Sequence, residues 1–314
     1  MNTKSQARLC LGTVQFGTRY GINNRIGKPD RKAVFQLLDK ALAVGIDCWD
    51  TAAAYGEAEI VLGEYLRERH LMDKVQIVSK LRPDFLDTIG EGISLVDALQ
   101  LEIEGSLLRL GVTGLDGFLL HNASYLSRDD LGEALVVMKQ RGLTRQLGVS
   151  VYKPEEAMAA LKTEWVDAIQ VPYNVLDRRL DQAGFFETNG DSRRSSTVYA
   201  RSALLQGLIM MQENEIPSHL VGIIPHLRQL DRIFGKYGLD RFGGSVRFVM
   251  EHAGIDVLVF GVESAAQLEA YLKVREDHRD MRECWAECSS HFERLDCRLL
   301  SPNLWETLRR EEGR

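Results

Sequence analysis

The chain has 314 residues, 45% of them hydrophobic, with a formal net charge of −6 and a pI near 5.7. Lys and Arg are spread along the whole sequence, which argues against a nucleic-acid-binding surface. No apolar run approaches the length that spans a membrane, and the polar segment 1–8 does not resemble a signal peptide, so a cytoplasmic location is expected.

In the first half of the chain, short apolar runs alternate with segments of helical periodicity. The first strand is expected within 9–16 and to close at Gly17. Further strands are expected at 47–49, 75–79 and 115–120, and helices at 29–44, 57–69, 95–109 and 129–141. Ser127 is expected to cap the last of these helices.

The same alternation continues to the end of an eighth unit. Strands are expected at 144–149, 167–171, 196–200 and 257–260, with helices at 154–161, 176–186, 226–237, 244–252 and 264–274, the last capped by Ser264. Eight strand–helix units predict an α/β fold, a closed (β/α)8 barrel of the TIM type. We expect one domain over 1–314, with the barrel at about 8–275 and a C-terminal extension at 276–314 anchored by Trp285, Phe292 and Trp305.

Ionisable side chains stand at the carboxyl ends of three successive strands. Asp50 ends the second strand and Tyr55 follows on its loop, Lys80 ends the third, and His121 ends the fourth. Because the carboxyl ends of barrel strands meet at one rim, these four side chains are expected on that rim. Taken singly, a strand-end lysine is more often a structural ion pair and a strand-end histidine a satisfied core residue.

The segment 50–59 resembles the aldo-keto reductase signature, Asp-Thr-Ala-x-x-Tyr-Gly followed by an acidic residue. This resemblance covers about 8–275 and also calls for a Lys and a His at the next two strand ends, where Lys80 and His121 stand. It implies an oxidoreductase that reduces an aldehyde or ketone with NAD(P)H. Because all four residues match one family pattern, a catalytic site is favoured over the structural roles that each residue would have singly.

The chemistry explains why these residue types occur together. A phenol with a pKa near 10 is a weak acid at neutral pH, and Lys80 beside Tyr55 is expected to lower that pKa. Asp50 would pair with Lys80 and hold it charged, while His121 would donate a hydrogen bond to the substrate oxygen. The resemblance assigns the same roles, with Tyr55 as the general acid.

A nicotinamide cofactor is implied by the resemblance and not by a glycine fingerprint. No Gly-x-Gly-x-x-Gly follows any strand, so a Rossmann half-domain is absent. Aldo-keto reductases bind the cofactor extended across the barrel rim, and Ser150 and Gln170 match the residues that hold its carboxamide. Arg201 stands where many members carry an aromatic residue stacked on the nicotinamide. The matching positions are Gly12, Thr13, Ser150, Gln170, Arg201, Ser202, Leu204, Gln206, Gly207, Gly261, Glu263, Ser264 and Gln267.

The adenosine end of the cofactor site departs from the family. Many relatives carry Lys or Arg there to receive the 2′-phosphate, whereas this chain has Glu263, Ser264 and Gln267. A carboxylate would repel that phosphate and could accept from a free ribose hydroxyl. Alternatively, Glu263 points outward and neutral donors bind the phosphate. The family as a whole favours NADP(H), which is expected first, and NAD(H) stays open.

Two other functions compete with the reductase. The first is a cofactor-binding regulatory or scaffold subunit, a function for which the same barrel is also used. Turnover of a generic aldehyde would exclude this alternative. An unrelated barrel enzyme such as an isomerase would not require the four residues in register. The segment 20–24 and the stretch after Arg201 resemble a bacterial subgroup associated with surface-sugar biosynthesis. The expected partner is a small carbonyl substrate of unspecified identity, and the oligomeric state is not predicted.

A metal site could be imagined at Cys284, Cys288 and His291, but the spacing matches no common zinc or iron–sulfur pattern. Five cysteines are a sparse and odd set, and reduced thiols on a C-terminal helix are the favoured interpretation. No metal is therefore expected.

Overall fold

The computed structural model describes residues 6–25, 27–72, 74–191 and 195–312. Within these residues eight parallel strands form a closed barrel, in which each strand pairs with the next and the eighth pairs with the first. The strands are β1 Arg8–Gly12, β2 Cys48–Asp50, β3 Gln76–Leu81, β4 Leu115–Leu120, β5 Thr144–Ser150, β6 Ala168–Pro172, β7 Thr197–Arg201 and β8 Val257–Gly261. The predicted (β/α)8 barrel is confirmed.

Helices connect the strands and cover the outside of the barrel. They are α1 Val14–Gly17, α2 Arg31–Ala43, α3 Ala58–Arg69, α4 Leu95–Leu110, α5 Asp129–Gln140, α6 Pro154–Leu161, α7 Arg179–Gln182, α8 Phe185–Asp191, α9 Ile224–Lys236, α10 Arg241–Met250, α11 Ala265–Glu276, α12 Arg282–His291, α13 Cys297–Leu300 and α14 Trp305–Glu312. Short 3₁₀ segments lie in loops at Phe85–Thr88, Ala123–Ser127, Leu205–Met210, Glu213–Glu215, Ser218–Ile223 and Pro302–Leu304. No helix in the described part of the chain combines the length and apolarity needed to cross a membrane.

Some boundaries differ from the prediction. The apolar run Val14–Phe16, expected to extend β1, forms α1, because a short apolar run fits either a strand or a helix. Ser127 does not cap α5: its hydroxyl donates to the Ser124 carbonyl, and Arg128 is the N-cap residue. Ser264 does cap α11, where its hydroxyl accepts from the Gln267 amide.

The barrel interior is closed by one apolar layer. Its members are contributed by seven strands: Cys10, Cys48, Val78, Leu119, Ala168, Tyr199, Val257 and Val259. A second, larger core lies between the barrel and its surrounding helices, and Trp49 belongs to it. This division follows from the strand period of two, since Cys48 and Asp50 face inward while Trp49 between them faces the helices.

The same period of two determines which side chains face inward near the carboxyl ends of the strands. Two residues further along each strand, towards its carboxyl end, the next inward-facing positions form a set that we call the inward ring. Its members are Gly12, Asp50, Lys80, His121, Ser150, Gln170, Arg201 and Gly261. The apolar layer therefore lies directly beneath the inward ring in the barrel interior.

The C-terminal extension packs against the barrel helices. Phe292 and Trp305 are buried, and Trp285 is half-buried with its indole N–H donating to Glu251 at 2.8 Å. Cys284 and Cys288 are buried free thiols on α12. The described residues include no group of His, Cys, Asp and Glu that could hold a metal ion.

Candidate active site

A buried ion pair lies in the inward ring. The Lys80 ammonium donates to the two carboxylate oxygens of Asp50 at 2.8 and 2.7 Å and to the Thr51 carbonyl at 2.9 Å. The side chains of Lys80 and Asp50 are 0% and 5% exposed. Burial acts to lower the pKa of Lys80, but the charge of Asp50 and its hydrogen bonds act in the opposite direction, and the pKa is raised overall. Lys80 is therefore charged at neutral pH.

Gln170 and Ser150 extend this pair. The side-chain amide nitrogen of Gln170 donates to Asp50 at 2.7 Å, and the Ser150 hydroxyl donates to the side-chain amide oxygen of Gln170 at 3.3 Å. Both side chains are buried. The contact between Gln170 and the ion pair is not apparent from the sequence, because the two residues are 120 positions apart and meet only when the barrel closes.

Tyr55 lies beside the ion pair on the β2–α3 loop. Its hydroxyl is 3.5 Å from the Lys80 ammonium, and its ring is half-buried. Burial raises the pKa of Tyr55 more than the charge of Lys80 lowers it, so the pKa is above its usual value. The expected net lowering by Lys80 is therefore wrong, although the contribution of Lys80 has the expected sign. The phenol is protonated at neutral pH and can act as a donor.

Close backbone contacts fix the position of the Tyr55 loop. Gly17, at the end of α1, lies so near this loop that an added Cβ would come within 1.7 Å of the Tyr55 carbonyl oxygen. Gly56 has φ +58° and faces the Gly17 carbonyl in the same way. Thr13 holds the strand end through its amide and hydroxyl, which donate to the Asp50 carbonyl at 2.9 and 3.0 Å. Only glycine fits both contact positions without displacing the loop.

His121 approaches Tyr55 from the end of β4. The two rings meet edge to face with centroids 5.6 Å apart. Burial, assisted by the charges of Lys80 and Arg201, lowers the pKa of His121 to about 3. Its Nδ1 atom is buried and has no hydrogen-bond partner in the described part of the protein. The imidazole is therefore neutral at pH 7 and retains hydrogen-bonding capacity for a ligand.

Behind the inward ring, Glu59 ties the start of α3 to its neighbours. This carboxylate is buried, and it accepts from the Ser79 hydroxyl at 2.6 Å and from Arg109 at 2.7 Å. Ser79 precedes Lys80 on β3, so Glu59 links the start of α3 to the strand that carries the lysine. The sequence shows Glu59 only as the acidic residue of the signature, without this role.

A cavity opens at the rim beside Tyr55 and has a volume of about 370 Å³. That size lies within the range of small-molecule and cofactor sites. The residues expected at the site that line it are Gly12, Thr13, Asp50, Tyr55, Arg201, Ser202, Leu204, Gln206, Gly207, Gly261, Glu263 and Gln267. Lys80, His121, Ser150, Gln170 and Ser264 are not among its lining residues.

Four further residues that line the cavity are Gln15, Tyr20, Phe242 and Tyr271. Gln15 is buried against Gly261, and its amide oxygen has no partner in the described part of the protein. Tyr20 also lines the cavity, and burial raises its pKa to about 12. Phe242 and Tyr271 reach the cavity from α10 and α11. Their helical spacing is the same for a core residue as for a cavity wall, so no sequence signal distinguishes the two.

The loop after β7 is held in an unusual shape. Ser202, Leu205 and Gln206 have φ angles of 66°, 48° and 53°, a region that non-glycine residues rarely adopt. The loop is clamped to the segment after β1, where the Ile22 amide donates to the Gln206 carbonyl at 3.1 Å. Backbone strain of this kind is concentrated at functional sites.

Glu263 lies at the start of α11 on the cavity wall. Burial raises the pKa of its carboxyl group, and it forms no ion pair with any residue that the structure describes. The Glu263 amide donates to the Gln267 side chain at 2.7 Å, and the Gln267 amide donates to the Ser264 hydroxyl at 3.3 Å. The side chains of Gln267 and Ser264 are acceptors in these two contacts, so the Gln267 side-chain N–H groups and the Ser264 O–H group stay available as neutral donors.

Comparison with known proteins identifies the family. The family model described as "Aldo/keto reductase family" matches residues 8–290. The chain belongs to this family. It is 24% identical over 301 residues to the aldo-keto reductase YhdN of Bacillus subtilis, with 88% of each chain covered. A probable aryl-alcohol dehydrogenase of Saccharomyces cerevisiae is 30% identical over 135 residues, which cover 40% of this chain and 41% of that protein.

A solved structure of an aldo-keto reductase has the same fold as this chain. The holo form of the aldo-keto reductase AKR11C1 from Bacillus halodurans has a TM-score of 0.73 and 20% identity, covering 92% of this chain and 94% of that one. Membership of the aldo/keto reductase family confirms the resemblance of segment 50–59, and it makes the protein an oxidoreductase of carbonyl compounds.

Proposed function

We propose that this aldo/keto reductase uses NAD(P)H to reduce an aldehyde or ketone to an alcohol, with Tyr55 as the general acid. The observation that carries the proposal is the contact between a protonated phenol and the buried Lys80–Asp50 pair at a cavity. A phenol with a raised pKa holds its proton until the carbonyl oxygen gains negative charge. A fixed ammonium at 3.5 Å then stabilises the phenolate that remains.

Tyr55 and three members of the inward ring, Asp50, Lys80 and His121, each have a separate part in this reaction. Tyr55 donates its proton to the carbonyl oxygen of the substrate. Asp50 keeps Lys80 charged, and Lys80 receives the phenolate as its partner. Neutral His121 can donate a hydrogen bond to the same carbonyl oxygen and orient it. The nicotinamide cofactor supplies the hydride when it is bound.

The cavity supports cofactor binding on structural grounds. It has the size of a cofactor site, and the buried Gln15 amide oxygen on its wall has no protein partner among the described residues. Gln170 donates one amide hydrogen to Asp50 and keeps a second for a ligand. The residues proposed to hold the cofactor are Gly12, Thr13, Ser150, Gln170, Ser202, Leu204, Gln206, Gly207, Gly261, Glu263, Ser264 and Gln267, with Arg201 at the nicotinamide end.

The choice between the two cofactors depends on Glu263. A carboxylate on the cavity wall, without an ion-pair partner in the described chain, disfavours a 2′-phosphate and can accept from a ribose hydroxyl. Ser264 and Gln267 act as acceptors in their contacts at the helix start and keep neutral donor hydrogens, but they carry no positive charge that would offset this repulsion. We therefore expect NADH to bind more tightly than NADPH. This differs from the sequence analysis, which expected NADP(H) first because the family as a whole favours it. The subgroup linked to surface-sugar biosynthesis stays a prediction.

Substitution of Tyr55 by Phe tests the mechanism. Turnover of 4-nitrobenzaldehyde should fall by roughly two to four orders of magnitude, the range for loss of a general acid, while cofactor affinity stays near that of the wild type. Turnover is followed by nicotinamide absorbance and affinity by fluorescence titration. Tyr237→Phe is the matched control, because it removes a phenol hydroxyl that bonds to Glu287 between α9 and α12. Full activity of Tyr55→Phe would contradict the proposed role.

A further inference from the structure

Arg201 is the inward-ring residue of β7, and its guanidinium is held rigidly. One nitrogen donates to the Val151 carbonyl at 2.9 Å, and the group lies over the Tyr152 ring at 4.5 Å from the centroid. Arg201 itself is half-buried and lines the cavity. These contacts fix the position of the charge but do not neutralise it, because a carbonyl and an aromatic ring carry no net charge.

The positive charge of Arg201 is not balanced by a negative charge among the residues that line the cavity. The charged residues among its lining are Asp50, Glu263 and Arg201. Asp50 is already paired with Lys80, and the structure gives Arg201 no carboxylate partner among the residues it describes. Burial alone raises the pKa of Glu263, and Glu263 and Arg201 form no ion pair in the part of the chain that the structure describes.

The charge of Arg201 acts instead on the catalytic end of the cavity. Burial dominates the pKa values of Tyr55, Tyr20 and His121, and Arg201 acts on all three in the direction of a lower pKa. A partly desolvated cation without a counter-ion in the described chain therefore faces the same space as the proposed general acid. Such a cation is stabilised when an anion enters, and Arg binds carboxylates through two parallel hydrogen bonds.

We propose that Arg201 is a specificity-determining residue that selects carbonyl substrates with a carboxylate group. This inference rests on the proposed function, since it concerns what occupies the cavity beside Tyr55. A reduced nicotinamide ring is neutral and would leave the charge of Arg201 uncompensated. An oxo acid or a formyl-substituted carboxylic acid would supply the missing charge and be oriented by it. The carbonyl group would then point to Tyr55.

The test compares charged and neutral aldehydes of the same shape. The 2-, 3- and 4-carboxybenzaldehydes are measured beside the corresponding carbamoylbenzaldehydes, and the readout is the ratio of the two kcat/KM values. For the regioisomer that fits, the wild type should favour the acid by about tenfold or more. Arg201→Gln should lower that ratio by roughly tenfold to a hundredfold, mainly through KM, since a charge-assisted contact is lost. Arg201→Lys should recover part of the ratio.

A charge-matched control separates this effect from a general change in surface potential. Arg128→Gln removes one positive charge near the same rim, but Arg128 is exposed and paired with Asp130. The ratio should not change in that variant. A wild-type ratio near one for all three regioisomers would overturn the proposal, as would a ratio that Arg201→Gln leaves unchanged.

Two further outcomes have distinct meanings. If Arg201→Gln weakens cofactor binding while the ratio stays constant, Arg201 binds a cofactor phosphate and the inference is wrong. If the wild type reduces no aldehyde at all, the proposed function fails. Binding of phthalate, isophthalate and terephthalate, measured by calorimetry against their diamides, then still reports whether Arg201 recognises a carboxylate.

Discussion

Replacing Asp50 by Asn, Lys80 by Met, and both together measures how strongly the buried ion pair is coupled. At 2.7 Å and an effective dielectric constant near 20, the attraction of the two charges is about 6 kcal/mol. Desolvation costs several kcal/mol per ion, so the intact pair contributes little net stability. Either single substitution leaves one buried charge without its counter-ion and should cost roughly 3–5 kcal/mol of unfolding free energy.

The double variant is the informative one. Its two replacement side chains are both neutral and would leave no buried charge at this position, so it should be more stable than the sum of the single losses implies. We expect a coupling energy of about 2 kcal/mol or more in the double-mutant cycle. Unfolding in urea, followed by circular dichroism, provides the four free energies. Turnover should be low in all three variants, because each removes the ammonium or the charge that holds it.

A matched pair nearby serves as the control. Lys28 and Glu57 are 2.8 Å apart beside the same loop, but both side chains are exposed. The corresponding cycle there should show little coupling, because solvent screens exposed pairs. Strict additivity of the Asp50 and Lys80 losses would refute the reasoning, since it would mean that each charge is solvated independently of the other.

Two further substitutions, at Glu263 and His121, test the geometry of the site. Glu263→Arg should strengthen NADPH binding by about tenfold or more with little change for NADH, since a charge-assisted phosphate contact replaces a repulsion. Fluorescence titration of both cofactors decides this, with Glu263→Gln as the control for charge removal alone, and no change in either variant would mean that Glu263 does not contact the adenosine. For His121, the folded-state pKa of about 3 lies below the ordinary 6.5, so protonation favours the unfolded chain as the pH falls. The wild type should therefore lose up to about 1.4 kcal/mol of stability per pH unit between pH 6.5 and 3 relative to His121→Gln, and parallel pH profiles in urea unfolding would contradict this.

The barrel could be predicted from the sequence because its signals are local. Each strand is a short apolar run, and three successive strand ends are marked by an ionisable residue at or near the end, namely Asp50, Lys80 and His121. The strand period of two then places these residues in one ring without any knowledge of long-range contacts. Boundaries were less predictable, since the run Val14–Phe16 fits a strand as well as the helix that it forms.

What the sequence could not provide are contacts between distant segments. Gln170 meets Asp50, and Glu59 meets Arg109, only after the barrel has closed. The pKa of Tyr55 depends on the balance between burial and a single cation, and the extent of burial is not encoded in a motif. Arg201 was interpreted through its family position alone. The lack of a counter-ion for it in the described chain became apparent only when its surroundings were known.

The pairing of β1 with β8 has a consequence for how the protein is made. Cys10 lies beside Val259 and Gly12 beside Gly261, so the cavity wall joins the beginning of the chain to a segment near its end. During synthesis from the amino terminus, no nascent chain that stops before β8 contains both sides of that wall. The Asp50–Lys80 pair needs only neighbouring strands, whereas the cavity depends on the most distant strand pairing in the fold. Ligands that bind this cavity can therefore recognise only chains whose synthesis has passed β8.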